Sequence, residues 1–324
     1  MKILVLIPYF GKFPAYFRET LLSMESNKRF DWLFITDQVF ESNSPNITII
    51  STTFEMFKKL IKEKIGTDLS SPYKICDYRP CFGIIFSDYI IDYDYWGHCD
   101  LDLIFGNLNI VYDIAQQNIY DKIFEFGHLS LYRNTPLVNN AYTKSGTTPN
   151  LNIDYRDILN NPFSLVFDEN YNGCGINGIF QYNGLKTYFN SDLIADLDIK
   201  YKNFRVLNLP KLKNNKTYFV YQNNELYLIS GQFQKKVIYV HFQKKSYYVS
   251  KTCENEFLIF PKGIFDNLNH FSKMFPTYKK FYFLSLRFVW YLKFRLKRYL
   301  KTEECNKWCL KNNNKALLKR EREV

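Results

Sequence analysis

Residues 96–106 have the sequence Trp-Gly-His-Cys-Asp-Leu-Asp-Leu-Ile-Phe-Gly. The apolar runs on either side of Asp100 and Asp102 are typical of buried strands. Because burying an unpaired carboxylate is unfavourable, we expect both acids at the end of this strand to turn into a cleft. Their oxygens suit a divalent cation such as manganese or magnesium, which would neutralise a phosphate-bearing substrate there.

The Asp-x-Asp pattern is short, and chance alone produces it in a chain with 32 acidic residues. It occurs at 92–94, 100–102 and 196–198. The first copy lies among tyrosines in a polar, turn-like stretch, and the third precedes a lysine-rich segment. Only the copy at 100–102 lies between two strongly apolar stretches with flanking glycines, so we predict the metal site there.

The first ~130 residues alternate between strand-like and helix-like patterns, which favours an α/β domain with a largely parallel sheet. We predict strands at 2–8, 30–36, 46–50, 95–99 and 123–126, and helices at 13–27, 54–65 and 108–117. Further along, 217–221 and 225–229 form a predicted hairpin, and 237–241 a final strand. Ligands of parallel sheets bind beyond the carboxyl ends of the strands, where Pro8, Asp37 and Asp100 fall.

The composition supports one large core or one core with a smaller appendage, since 46% of the 324 residues are hydrophobic. The net charge of +11 is concentrated in residues 278–324, which hold 14 Lys and Arg against four Asp and Glu. The remaining body is near neutral, so we expect no nucleic-acid partner. Seven cysteines without metal or disulfide spacing, and an N-terminal apolar run too short for a signal peptide, indicate the cytoplasm.

The stretch at 96–106 resembles the signature W-G-x-C-D-L-D-x-I-F-G of bacterial sugar-nucleotide glycosyltransferases of the GT-A type, in the capsule and lipopolysaccharide group. The resemblance covers about residues 1–245. It implies a GT-A-like, Rossmann-type domain with a mixed, mostly parallel sheet flanked by helices. Its donor half would span about 1–135 and its acceptor half about 136–245, followed by a connecting segment at 246–277. The donor would be a nucleoside diphosphate sugar, with a UDP-sugar the first expectation.

The same resemblance implies roles for residues at the strand ends and in two basic segments. His241 resembles the third metal ligand of glycogenin-like retaining transferases, beside Asp100 and Asp102, which favours retention of anomeric configuration. Those relatives have a glycine and Lys-Pro-Trp after the histidine, whereas this chain has Gln-Lys-Lys. The implied donor-binding residues are Pro8, Tyr9, Phe10, Asp37, Lys74, Asp77, Arg79, Asp100, Lys244 and Lys245.

Simpler structural roles compete with several of these assignments. Tyr9 and Phe10 can stack on a base or can simply pack in the core. Lys74 and Arg79 can contact phosphate, with Asp77 orienting Arg79, or the three can form a surface ion-pair cluster.

On the acceptor side, Asp168 and Glu169 precede a glycine-rich turn. We predict that one of them accepts a proton from an acceptor hydroxyl or holds sugar hydroxyls, which makes them the candidate catalytic residues. Asp168 can equally cap a helix. His128 is a weaker candidate for the base.

Residues 279–301 hold eight basic residues and no acid, with apolar side chains on one predicted helical face. Such a helix suits the anionic cytoplasmic face of the inner membrane, where a peripheral enzyme would meet a glycan or lipid-linked acceptor. A helix docked on the body with its basic face in solvent is the alternative. Two other functions also remain: a metal-dependent phosphodiesterase or nucleotidyltransferase, and a non-catalytic membrane-associated nucleotide-binding protein.

Overall fold

The computed structural model describes residues 1–144, 154–169, 175–198, 200–201, 203–210, 212, 217–250 and 255–266. Its strands are β1 (Ile3–Tyr9), β2 (Asp31–Thr36), β3 (Ile47–Ser51), β4 (Tyr95–Cys99), β5 (Leu103–Phe105), β6 (Lys122–Phe126), β7 (Leu129–Arg133), β8 (Thr187–Tyr188), β9 (Ala195–Asp196), β10 (Thr217–Gln222), β11 (Glu225–Ser230), β12 (Phe233–Val237), β13 (Tyr239–His241), β14 (Tyr248–Val249), β15 (Phe257–Phe260) and β16 (Gly263–Phe265). Its helices are α1 (Phe17–Ser26), α2 (Phe54–Ile65), α3 (Ile75–Tyr78), α4 (Phe82–Ile85), α5 (Ser87–Ile90), α6 (Asn109–Gln116), α7 (Pro136–Asn139), α8 (Tyr155–Leu159) and α9 (Ile176–Tyr182).

The main sheet has seven strands in the order β3-β2-β1-β4-β7-β6-β8. The first four strands run parallel to one another, whereas β7 is antiparallel to both β4 and β6. Strand β8 returns parallel to β6. The sheet is therefore mixed and mostly parallel, and the fold is mixed α/β as the alternating pattern predicts.

Apolar side chains cover both faces of this sheet. Along β1, Leu4 and Leu6 pack into one cluster of buried residues, and Ile3 and Val5 pack into a second cluster on the opposite face. Successive side chains of a strand point to opposite faces, and parallel strands are commonly buried on both. This explains why β1 is a continuous apolar run with no polar face.

Local signals fix helix α2 at the predicted residues 54–65. The side chain of Thr53 accepts a hydrogen bond from the Met56 N–H at the first turn, and Gly66 ends the helix with a φ of 79°. A hydroxyl before the helix and a left-handed glycine after it are favoured start and stop residues. By contrast, α1 begins at Phe17 rather than at 13, because the Phe17 N–H is bonded to the Pro14 carbonyl in a preceding turn.

Two predictions of chain organisation need correction. The predicted strand 237–241 is split: β12 ends at Val237 in a six-stranded sheet, and β13 begins at Tyr239 in a three-stranded one. The segment 246–277, predicted as a connection, supplies β14, β15 and β16 to that six-stranded sheet, whose order is β12-β11-β10-β15-β16-β14. The folded body therefore continues past 245 to at least Phe265. Strand β15 pairs with β10, the first strand of the predicted hairpin, and extends its sheet.

The basic segment 278–324, including the predicted membrane-binding stretch 279–301, lies outside the described residues. Within the ranges that are described, no helix combines the length and apolarity that crossing a membrane requires.

Candidate functional site

The carboxyl ends of β1, β2 and β4 meet at one edge of the main sheet. Strand β1 lies between β2 and β4 and is parallel to both, with Tyr9 in register with Thr36. Asp37 directly follows β2, and Asp100 directly follows β4. The Asp92–Asp94 copy lies at the opposite end, where Asp94 accepts a hydrogen bond from the Lys2 N–H before β1.

Asp100, Asp102 and His241 lie together at this edge. Each offers one ligand atom, and the three atoms lie within 4.8 Å of one another. Asp102 Oδ1 faces His241 Nε2 at 3.5 Å. Two carboxylate oxygens and one imidazole nitrogen form a donor set that suits manganese and accommodates magnesium.

Strand pairing brings His241 to the acidic pair across about 140 residues of chain. Strand β13 is antiparallel to β5, so His241 lies opposite Leu103, and the Phe242 N–H donates to the Asp102 carbonyl at 2.9 Å. Backbone hydrogen bonds between β5 and β13 thus bring both side chains together.

Two hydrogen-bond donors hold the acidic pair. The Arg79 guanidinium donates to Asp100 Oδ1, and the Lys244 backbone N–H donates to Asp102 Oδ2 at 2.6 Å. Burial disfavours the Asp100 carboxylate, but the charges of Arg79, His241 and Lys244 outweigh it and hold the pKa of Asp100 well below its usual range. Asp100 is therefore ionised and able to bind a cation at neutral pH.

His241 sits between two carboxylates. Its Nδ1 donates to Asp196 Oδ1 at 2.8 Å, while its Nε2 faces Asp102. Burial opposes the charged ring, yet Asp102 and Asp196 together raise the pKa of His241 to about 10. A metal has to displace this proton, so its apparent affinity rises with pH.

Asp196 belongs to the Asp-x-Asp copy at 196–198, where the sequence predicts no metal site. Strand β9 pairs with β13 and puts Asp196 in register with His241, and Gln243 Nε2 donates to the same carboxylate oxygen at 3.0 Å. A two-residue strand leaves no usable sequence signal, so only the strand pairing identifies Asp196 as part of the site.

Arg79 also joins the edge that carries Asp100 to the predicted acceptor side. Its Nη1 donates to Asp168 Oδ2 at 2.7 Å and to the Gly127 carbonyl at 2.8 Å. The Gly127 N–H donates to Glu169 Oε1 at 2.7 Å. A Cβ at Gly127 would lie 2.6 Å from Asp168 Oδ2, so only glycine leaves room for this network.

Asp168 is 2% exposed and faces Arg79, and its side chain caps none of the helices that the structure describes. Glu169 is the more exposed member of the pair. Burial raises the pKa of Asp168 to about 7; Arg79 opposes this rise, whereas Glu169 and Asp77 add to it. Near pH 7 the protonated and ionised forms of Asp168 are therefore about equally populated.

The raised pKa of Asp168 predicts a pH-dependent stability difference. Between the unfolded pKa of about 3.9 and the folded value of about 7, the folded state holds more protons. The free energy of unfolding therefore falls as the pH rises through this window. Asp168→Asn removes that contribution. We therefore expect the difference in the free energy of unfolding, variant minus wild type, to rise by a few kcal/mol between pH 4 and pH 7.

Urea unfolding at pH 4.5, 6 and 8 measures this difference. Asp113→Asn, which changes an exposed carboxylate on α6, is the matched control. A constant difference between wild type and Asp168→Asn at all three pH values would show that Asp168 ionises normally in the folded protein.

Lys74 and Asp77 do not face the cleft, which corrects their assignment as donor-binding residues. Lys74 is 1% exposed, and its Nζ donates to Asp77 Oδ2 and to the carbonyls of Ile158 and Phe163. Asp77 in turn accepts backbone N–H groups from Leu165 and Phe167, and in the described structure Arg79 forms its ion pairs with Asp100 and Asp168 instead. The pair ties helix α3 to the segment after α8.

The two aromatic residues at the end of β1 differ. Phe10 is buried against Phe54 and Phe57, as the packing alternative predicts. Tyr9 is half-buried, and the charge of Asp102 adds to the effect of burial in raising the pKa of Tyr9, so its hydroxyl lies near the acidic pair. Pro8 is partly exposed, and Asp37 is exposed.

The two lysines after His241 also differ. Lys244 is exposed, with its ammonium 4.0 Å from the centre of the Tyr73 ring. Lys245 Nζ donates to the Asp198 carbonyl at 3.3 Å. Gln243 and Lys244 both have positive φ, at 49° and 61°, a strained conformation that occurs often at functional sites.

A family model matches most of this chain. Residues 5–268 match DUF6625, described as a family of unknown function. The chain belongs to this family. The match covers most of the chain and ends close to the last described strand, β16. No curated protein matches the chain by sequence.

Two solved structures resemble the chain distantly. One is a protein described as a nucleotide-diphospho-sugar transferase from Desulfovibrio desulfuricans G20, at 10% identity and a TM-score of 0.32, covering 58% of this chain and 79% of that one. The other is mouse xyloside xylosyltransferase 1 in its apo form, at 9% identity and a TM-score of 0.38, covering 75% of this chain and 97% of that one.

Proposed function

We propose that the chain is a metal-dependent glycosyltransferase that uses a nucleoside diphosphate sugar as donor. The observation that carries the proposal is the meeting of Asp100, Asp102 and His241 at the carboxyl edge of a mostly parallel sheet. The resemblance of residues 96–106 to the transferase signature supports the same activity.

Manganese or magnesium held by Asp100, Asp102 and His241 would neutralise charge on the diphosphate leaving group. Lys244 is exposed next to Asp102 and can add a second positive charge to a phosphate. Tyr9, half-buried beside the acidic pair, is the aromatic residue suited to contact the base or ribose. Pro8 and Asp37 are open at the same edge for further contacts.

Arg79 is 14% exposed and is held by Asp100, Asp168 and the Gly127 carbonyl. We assign it a positioning role, because a guanidinium with three internal acceptors fixes the metal edge relative to the acceptor side. Glu169 is the better candidate for contact with an acceptor hydroxyl, since Asp168 is almost fully enclosed. The proposed acceptor, a glycan or a lipid-linked molecule at the cytoplasmic membrane surface, rests on the sequence of 279–301 alone.

A thermal-shift screen tests the donor part of the proposal. The full chain is heated with UDP, GDP, UDP-glucose or GDP-mannose, each with manganese and each with EDTA. A ligand at 100 times its dissociation constant stabilises a protein by about 2.7 kcal/mol. We therefore expect a nucleotide to raise the melting temperature by several degrees in manganese but not in EDTA. No shift with any nucleotide, or an equal shift in EDTA, would contradict the proposal.

The products separate a transferase from a phosphodiesterase or nucleotidyltransferase. Breaking the bond between the anomeric carbon and the phosphate oxygen of UDP-glucose releases UDP. Breaking the diphosphate or a phosphodiester releases UMP or another monophosphate. We expect slow release of UDP when water replaces the acceptor. Monophosphate as the main product would favour the alternative enzyme, and tight binding without turnover would favour the non-catalytic one.

A further inference from the structure

A second group of candidate ligands lies on the other side of the His241 ring. The group consists of His128, Asp196 and His241, whose ligand atoms lie within 4.8 Å of one another. The two imidazoles are stacked, with centroids 4.3 Å apart and planes 23° apart. His128 is buried, whereas Asp196 and His241 are partly exposed, so a cation can reach the group from the cleft.

His128 and Asp196 each have a second hydrogen-bond partner of the kind that orients a metal ligand. Tyr239 Oη hydrogen-bonds to His128 Nδ1 at 2.9 Å, and Gln243 Nε2 donates to Asp196 Oδ1 at 3.0 Å. In the tautomer whose Nδ1–H donates to Tyr239 Oη, the lone pair of His128 is on Nε2 and is available to a metal. Ligating histidines nearly always donate through their other ring nitrogen in this way.

The donor set differs from that of the acidic site. Two imidazole nitrogens and one carboxylate oxygen favour zinc and related transition metals, whereas two carboxylates and one imidazole suit manganese or magnesium. We propose that His128, Asp196 and His241 form a second metal site that selects zinc-type cations and competes with the Asp100–Asp102 site for His241.

The competition follows from the chemistry of one imidazole. A neutral imidazole has a single lone pair, and its other nitrogen carries a proton. His241 presents Nδ1 to Asp196 and Nε2 to Asp102. A zinc ion bound through Nδ1 leaves the proton on Nε2, where it points at Asp102 and removes the third ligand of the acidic site.

The required movement is small for Asp196 and His241. Two ligands held tetrahedrally at about 2.0–2.1 Å from zinc lie about 3.3 Å apart. The Nδ1–Oδ1 distance is 2.8 Å, so this pair opens by about half an ångström. His128 has to tilt out of its stacked position to bring Nε2 to the same point. The competition rests on the proposed metal role of Asp100 and Asp102, but zinc binding itself does not.

Calorimetric titration of the full chain with zinc chloride tests the site. We expect His128→Gln to weaken zinc binding more than tenfold while manganese binding stays as in the wild type. Tyr239→Phe, which removes only the hydroxyl that supports His128, should weaken zinc about tenfold. Asp113→Asn is the control, because it removes a carboxylate that pairs with Arg29 on the surface and leaves the three ligands unchanged.

Asp100→Asn separates the two sites. It should keep zinc binding and lose manganese binding. Zinc affinity lost in Asp100→Asn, or unchanged in both His128→Gln and Tyr239→Phe, would overturn the second site. Melting curves without metal establish that each variant is folded, and Tyr239→Phe decides the matter if His128→Gln does not fold. If the protein binds zinc with these variant effects but binds neither manganese nor nucleotides, the proposed function is wrong and the zinc site is supported.

Discussion

Asp102→Asn is expected to abolish manganese-dependent nucleotide binding and sugar transfer while the fold survives. Asp102 places Oδ1 toward His241 and receives the Lys244 N–H on Oδ2, so it both offers a metal ligand and orders the loop after β13. Asparagine keeps the shape and one oxygen acceptor but loses the negative charge. We expect manganese affinity to fall at least about 100-fold, a loss of about 2.8 kcal/mol.

The measurement is manganese titration by calorimetry, followed by UDP-sugar turnover at saturating metal. Asp92→Asn is the matched control, because it changes an exposed carboxylate of the same Asp-x-Asp pattern near the other end of β4. The control should bind manganese as the wild type does. Full turnover by Asp102→Asn in the presence of EDTA would rule out the metal site at the acidic pair.

Lys74→Met is expected to lower the free energy of unfolding by about 3 kcal/mol or more. Removing one partner of a buried ion pair leaves an uncompensated charge, which typically costs about 3–5 kcal/mol. Here both side chains of the Lys74–Asp77 pair are fully buried at an N–O distance of 2.7 Å. The variant also leaves the carbonyls of Ile158 and Phe163 without their ammonium donor.

Urea unfolding measures the loss, and Lys64→Met is the matched control. Lys64 pairs with Asp88 at 3.2 Å on the surface, where an ion pair contributes less than about 1 kcal/mol. A Lys74→Met protein that is as stable as the wild type but fails to bind nucleotide would restore the sequence-based assignment of Lys74 to the donor phosphate.

The elements with strong local signals agree between sequence and structure. Helix α2 and strand β4 occupy the predicted residues because apolar spacing, a cap and flanking glycines act over a few neighbouring positions. The short strands β14, β15 and β16 were missed since two to four residues carry too little pattern. Their strand identity comes from pairing with β10 and with one another.

The basic residues near Arg79 show a limit of another kind. Lys74 and Arg79 are close in sequence and equally charged, and nothing local distinguishes their surroundings. The fold buries Lys74 on Asp77 and turns Arg79 toward Asp100 and Asp168. Solvent access depends on which distant segments pack above each residue, here the chain around residues 158–168.

The sequence by itself determined the mostly parallel sheet and the place of Asp100 and Asp102 at the end of a buried strand. Both follow from hydrophobic patterning over short distances, which a strand and its flanking residues carry within themselves. Only the tertiary structure decided that Asp196 belongs beside His241 while its Asp92–Asp94 counterpart lies at the far end of the sheet. The residues around Asp92 and Asp196 do not show which of them lies beside His241, because strand pairing across 45 residues depends on the packing of the whole domain.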